Sequence, residues 1–217
     1  MLTISDIIIV RERAEQELCM GAKYIPQHMI ERSRFIDLYK EWCEEDRTLL
    51  TDKMNCLIRE NSEYTDTKNY GYMCNLLTSL AIILVLEDKG MSRKEAQQYT
   101  ADAMYQFIKP QIRSMEKLAS HRWFVRMLKI TMPIKFKNTL GYGWDVEFPP
   151  CGKNEFAMIT HKCIFRQIFE KYGMPEMTAA FCKVDDILYS NLPRAEFLYT
   201  QQIGTGGTMC DYTFRKR

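Results

Sequence analysis

Apolar residues recur at helical spacing from Ile7 to Leu18. They do so again from Ile30 through Phe35, Leu38 and Trp42 to Leu49, Met54 and Ile58. Glycine and proline are nearly absent inside these spans, and the polar stretch from Asn61 to Lys68 ends the pattern. Tyr72 to Leu86 then reads as a strongly apolar helix stopped by Asp88-Lys89-Gly90, with Gly90 as its C-terminal cap. Ser92-Arg93-Lys94-Glu95 has the form of a capping box and opens a helix to about Ile108, which Pro110 kinks or restarts.

The regime changes at Gly141. Trp144 to Phe148 and Phe156 to His161 read as strands around a Pro149-Pro150-Cys151-Gly152 turn. Cys163 to Tyr172 reads as a short helix ended by Gly173, and Pro175 starts another that runs through Phe181 and Val184 to Leu188. Ala195 to Ile203 and Met209 to Phe214 predict a terminal hairpin around the glycine-rich turn Gly204 to Gly207. In the last strand, alternation puts Cys210, Tyr212 and Phe214 on one face and Asp211 and Thr213 on the other. The fold class expected is α+β: one domain over 1–217, with a helical cluster (1–140) packed on a small antiparallel sheet that the remainder forms with two short helices.

Composition narrows the function classes. A net charge of +2 over 217 residues gives no reason to expect a nucleic-acid partner. The longest apolar run, Leu76 to Leu86, is about half of the roughly 20 residues a membrane span needs, so no integral membrane segment is expected. Ile7 to Val10 is too short for the core of a signal peptide, and Arg11, Glu12 and Arg13 follow it at once. Eight cysteines without a CxxC pair or a secretion signal read as reduced thiols of a cytoplasmic protein. Cys19, Cys43, Cys56 and Cys74 sit in helical patterns and read as small apolar residues, and the 14 methionines suit an adaptable core or pocket.

Three constellations carry candidate chemistry. In the first, Cys163 begins a helix, where the free N–H groups and the macrodipole favour a thiolate, and His161 lies two residues before it. Cys182 shares a helical face with Asp185 and Asp186, and Cys210 with Asp211 comes from the last strand. This set reads as a nucleophile or acid–base site, or as side chains divided between core and solvent, or as a zinc site built from the three cysteines with one Asp or His. The second is a basic stripe, Lys109, Arg113, Lys117, Arg122, Arg126 and Lys129, broken by Glu116 alone. It is a solvated face, or the contact for an anionic ligand or membrane surface, with Arg122 placed to clamp a carboxylate. The third is Gly141-Tyr142-Gly143-Trp144-Asp145, a loop that approaches a ligand closely or a plain strand entry.

Taken together, the cysteine opening the first short helix, Cys182 with Asp185 and Asp186 on the next, the Gly206-Gly207 turn and the closing Cys210-Asp211-Tyr212-Thr213-Phe214 resemble the L-2-amino-thiazoline-4-carboxylic acid hydrolases over roughly the last 70 residues. The resemblance implies a cofactor-free hydrolase that opens a cyclic amidine at a carbon–nitrogen bond, giving a carbamoyl derivative on the way to L-cysteine. Such chemistry needs a proton donor, a nucleophile and a cation, and by residue type the chain offers Asp185, Asp186 or His161 for proton transfer and Cys163 or Cys182 as nucleophile. Arg166 or Arg122 would hold the substrate carboxylate, with Trp144 and Gln202 as further contacts. The chain departs from the family pattern at Tyr199-Thr200-Gln201-Gln202-Ile203, where an Arg- and Thr-rich strand is expected. The same tail resembles small-molecule-sensing domains of the vinyl-reductase type, which gives a non-catalytic binding module as the alternative.

Overall fold

The computed structural model describes residues 24–65, 68–137 and 142–217. The helix expected over Ile7 to Leu18, Cys19 and the Gly141 start of the aromatic loop lie outside them. The fold is α+β, and the chain divides into two compact units with the boundary between Val85 and Leu86.

The first unit is helical: α1 (Pro26–Arg32), α2 (Ile36–Glu41), α3 (Glu44–Glu60) and most of α4 (Tyr70–Asp88). The single apolar pattern that runs from Ile30 to Ile58 is thus cut into three helices. The cause is local. Ser33 Oγ donates to the Ile30 carbonyl at 2.8 Å and accepts from the Phe35 N–H at 3.1 Å, so a side chain takes up groups that a continuous helix would pair. The chain turns there, and Met29, Ile30, Phe35 and Leu38 are all buried, as are Leu50, Met54 and Leu57 of α3. Among the described residues α4 alone is long and apolar enough to cross a membrane, but 67% of its apolar window is buried in protein, as in a core helix.

The second unit holds α5 (Arg93–Gln106), α6 (Lys109–Ala119), α7 (Phe124–Lys137), α8 (Ile164–Lys171) and α9 (Met177–Tyr189) around one antiparallel sheet. The capping box at Ser92 is formed in both directions, and the helix that Pro110 restarts begins at Lys109. The strands are β1 (Asp145–Glu147), β2 (Glu155–Lys162), β3 (Ala195–Leu198) and β4 (Cys210–Lys216), in the order β1-β2-β4-β3. Register aligns the alternating apolar positions across the sheet: Thr160 faces Cys210, Met158 faces Tyr212, and Phe156 and Phe197 flank Phe214. Phe124 of α7 and Tyr189 of α9 meet Phe214 edge-on at 6.3 and 5.1 Å between ring centroids, so both helices cover the same buried face.

One expected feature takes a different form. β3 ends at Leu198, and the glycine-rich stretch is not the tip of a tight hairpin. It forms a single 3₁₀ turn, Ile203–Thr205, folded back against α9. Asp211 pins the start of this excursion from the outer face of β4. Its carboxylate accepts from the Thr200 N–H at 2.8 Å, the Gln201 N–H at 2.9 Å and the Thr200 hydroxyl. Partial burial works against the Asp211 anion, but these donors prevail and hold its pKa below the ordinary carboxylate value. A lowered folded-state pKa contributes stability that is present above about pH 4 and lost as pH falls through the folded value. Asp211→Ala should therefore cost about 1–2 kcal/mol in urea unfolding at neutral pH, and the difference from wild type should shrink in acid. An equal difference at both pH values would refute the charge-assisted pin.

Candidate functional site

Three elements bring three of the four cysteines of the second unit together. Cys163 is the N-cap residue of α8, Cys182 lies mid-way along α9, and Cys210 opens β4. Close packing of the 3₁₀ turn against α9 makes this possible. A Cβ on Gly204 would lie 2.7 Å from Cys182 Sγ, 2.8 Å from Ala179 N and 2.8 Å from the Thr178 carbonyl carbon. Only a residue without a side chain lets the turn approach so far. Consecutive backbone N–H groups of that turn then serve the two sulfurs: Ile203 donates to Cys210 Sγ at 3.3 Å and Gly204 to Cys182.

The Cys182 and Cys210 thiols hydrogen-bond each other, and all seven cysteines among the described residues are free. The two sulfurs have opposite electrostatic fates. Cys210 is drawn below the ordinary thiol value, chiefly because Cys182 donates to it, with further donation from the Ile203 N–H and Tyr212 outweighing burial and the nearby Asp185 charge. Cys182, as the donor, is pushed up by that same bond and then by burial. Of the pair, Cys210 is therefore the sulfur on which negative charge is favoured. Cys163 does not behave as its helix-start position suggests. The N–H groups of Arg166 and Phe165 favour its anion, but burial dominates and its pKa is pushed up to about 12. Its side chain forms no capping hydrogen bond. A low-dielectric setting has overcome the macrodipole there.

A polar network closes around the pair. Gln202, fully buried, donates from Nε2 to the Tyr212 hydroxyl at 3.1 Å and to Asp186 Oδ1 at 3.3 Å. The Tyr212 hydroxyl in turn reaches Asp185 Oδ2 at 3.3 Å. Burial, then the Asp185 charge, pushes Tyr212 well above the ordinary phenol value, so it keeps its proton and serves as a donor to either Asp185 or Cys210. Tyr105 of α5 donates to the Ala180 carbonyl at 3.1 Å, and its pKa is pushed up to about 12 by burial first and by its charged surroundings second. One turn before Cys182, the buried Thr178 hydroxyl has no hydrogen-bond partner among the described residues.

The other candidate residues stand apart. His161 is exposed at the end of β2, 3.7 Å from Glu147. Arg166 pairs with Glu170 one turn along α8. Arg122 is exposed in the turn before α7, beside the stacked rings of His121 and Trp123. Trp144 is buried between Phe136 and Phe165 and serves the aromatic core. Asp211 faces away from Cys210, as strand alternation requires. Among the described residues no three His, Cys, Asp or Glu side chains are grouped to hold a metal ion, so the geometry for the zinc alternative is not formed. Residue type and spacing do not mark Tyr212, Tyr105 or Gly204 as parts of the site. Strand alternation, which sets Tyr212 on the Cys210 face, is the one signal that could have found any of them.

Comparison with known proteins adds three findings. No curated protein matches the chain. Among solved structures it is similar to an H-NOX protein mutant from K. algicida in the Fe(II) unliganded state, at 11% identity and a TM-score of 0.31, covering 87% of this chain and 95% of that one. It is also similar to the unmutated H-NOX protein from the same source, at 11% identity and a TM-score of 0.28 over 78% and 95% of the two chains. Likeness at that level carries no argument about function. The family model for L-2-amino-thiazoline-4-carboxylic acid hydrolase, by contrast, matches residues 74–214, which include every cysteine of the cluster, both aspartates of α9 and nearly the whole sheet. The chain therefore belongs to the L-2-amino-thiazoline-4-carboxylic acid hydrolase family.

Proposed function

We propose that the protein hydrolyses a small cyclic amidine of the 2-aminothiazoline-4-carboxylate type, with Cys210 as nucleophile. The observation that carries this reading is the Cys210 sulfur itself, held toward the thiolate by donation from Cys182, Ile203 and Tyr212. A thiolate is the form of cysteine that attacks carbon, and it is rarely stabilised in a buried setting without such donors. Membership of the family supports this substrate class.

In this reading the Cys210 thiolate adds to the amidine carbon and the ring C–N bond breaks. The departing ring nitrogen takes a proton from Tyr212, which Asp185 has kept oriented. Water then adds to the same carbon, returns a proton to Tyr212 and expels Cys210 as thiolate, and the carbon keeps the substrate sulfur and the exocyclic nitrogen as an S-carbamoyl group. One water is consumed and the thiolate is restored. Gln202 orients the Tyr212 hydroxyl, and the unpartnered Thr178 hydroxyl is a polar group that a substrate edge would satisfy.

Incubation with L-2-amino-thiazoline-4-carboxylate should consume the ring and release a carbamoyl-cysteine, followed by chromatography with mass detection. Absence of turnover at stoichiometric enzyme would remove this substrate. Absence of turnover with saturable, unchanged substrate binding would favour the sensing module instead.

A further inference from the structure

The outward face of α7 is apolar at its centre. The inward side chains Phe124, Val125, Leu128 and Phe136 are buried against the rest of the second unit. On the opposite side Trp123, Met127, Ile130 and Ile134 follow one another at intervals of four, three and four residues, which lines them up on one helical face. Trp123 is 46% exposed, Ile130 55% and Ile134 63%, the last two being the most exposed large apolar side chains among the described residues. A helix apolar on both sides is expected in a core or at a contact, and this one shows its second apolar side to solvent.

Charge around the stripe is of one sign. From Lys117 to Trp144 the sequence contains no Asp or Glu. Arg122, Arg126 and Lys137 border or flank the stripe. Lys129 is already committed, donating to the Gly152 carbonyl at 2.6 Å. A second copy docked face to face would set these cations against their own counterparts, which disfavours a symmetric dimer through the stripe. A row of Trp and Ile side chains bordered by Arg and Lys matches an anionic bilayer surface, where the apolar side chains enter the headgroup boundary and the cations meet lipid phosphates.

We propose that α7 is a peripheral docking face for anionic membrane, with Trp123, Ile130 and Ile134 inserting and Arg126 and Lys137 contacting headgroups. The full chain should co-sediment with vesicles of phosphatidylcholine mixed with phosphatidylglycerol, not with phosphatidylcholine alone, and added salt should release it. Its tryptophan emission should shift to shorter wavelength on binding, and Trp123→Phe should abolish that shift. Replacing Ile130 and Ile134 together by Glu should weaken binding by about tenfold or more while leaving the circular dichroism spectrum unchanged, since neither side chain is in the core. No binding at low salt would overturn the proposal, as would binding that the double Glu variant retains. A concentration-dependent dimer that this variant dissolves, without vesicle binding by wild type, would also overturn it and assign the face to a second copy.

Discussion

Cys210→Ser should abolish turnover of the aminothiazoline, by about a thousandfold or more in kcat, without unfolding the protein. The substitution keeps the size and the hydrogen bonding of the side chain. What it removes is the ability to hold negative charge at that atom. A serine hydroxyl gains little from the Ile203 N–H and Tyr212 that draw the thiol down, because its own pKa lies far above that of a thiol. The partner variant separates charge tuning from packing. In Cys182→Ala the main donor to Cys210 is gone, so the Cys210 pKa should rise and the alkaline-rising limb of kcat/KM should move to higher pH. Cys163→Ser should be mild by comparison, since burial keeps that thiol protonated. Undiminished turnover by folded Cys210→Ser would end its role as nucleophile, and an unmoved pH profile in Cys182→Ala would remove the thiol pair as its activator.

Much of the frame behind these expectations is legible in the sequence, because it rests on short-range rules. Alternation in Cys210 to Phe214 sorts the side chains of β4 correctly, and the Ser92 capping box, the Pro110 restart and the Gly173 stop all occur where local chemistry puts them. What is not legible depends on contacts between distant segments. The helix start at Cys163 promises a thiolate, but the surroundings that bury it come from elsewhere in the fold and decide the sign. In the sequence the stripe on α7 shows only its cations. Its apolar line is invisible until the buried side of the helix is known, since Ile130 and Ile134 look like core residues in any helical pattern. Ser33 breaks a periodic apolar run with two hydrogen bonds that no spacing rule anticipates.

Gly204→Ala should be a severely damaging single-methyl change, costing about 3 kcal/mol or more in chemical unfolding and displacing the thiol pair. Two of the three atoms its Cβ would strike, Ala179 N and the Thr178 carbonyl carbon, belong to the α9 backbone and cannot rotate away. Removing the third is therefore no cure. The double variant Gly204→Ala with Cys182→Ala should stay nearly as unstable as Gly204→Ala alone, whereas relief by the second substitution would show that the sulfur was the only obstacle. Gly206 supplies the contrast. Its φ of +97° strains any other residue, but a Cβ there meets open space, so Gly206→Ala should cost only about 1–2 kcal/mol and leave the sulfurs in place. The two glycines sit two residues apart in one turn and serve different ends, one bending the chain and the other letting it touch α9. Because the N–H groups of residues 203 and 204 are the ones that meet the sulfurs, a turn held even slightly away from α9 loses the donors that favour the Cys210 thiolate. Gly204→Ala should thus depress turnover even under conditions where the variant remains folded, and full activity in that folded variant would separate the turn from the chemistry.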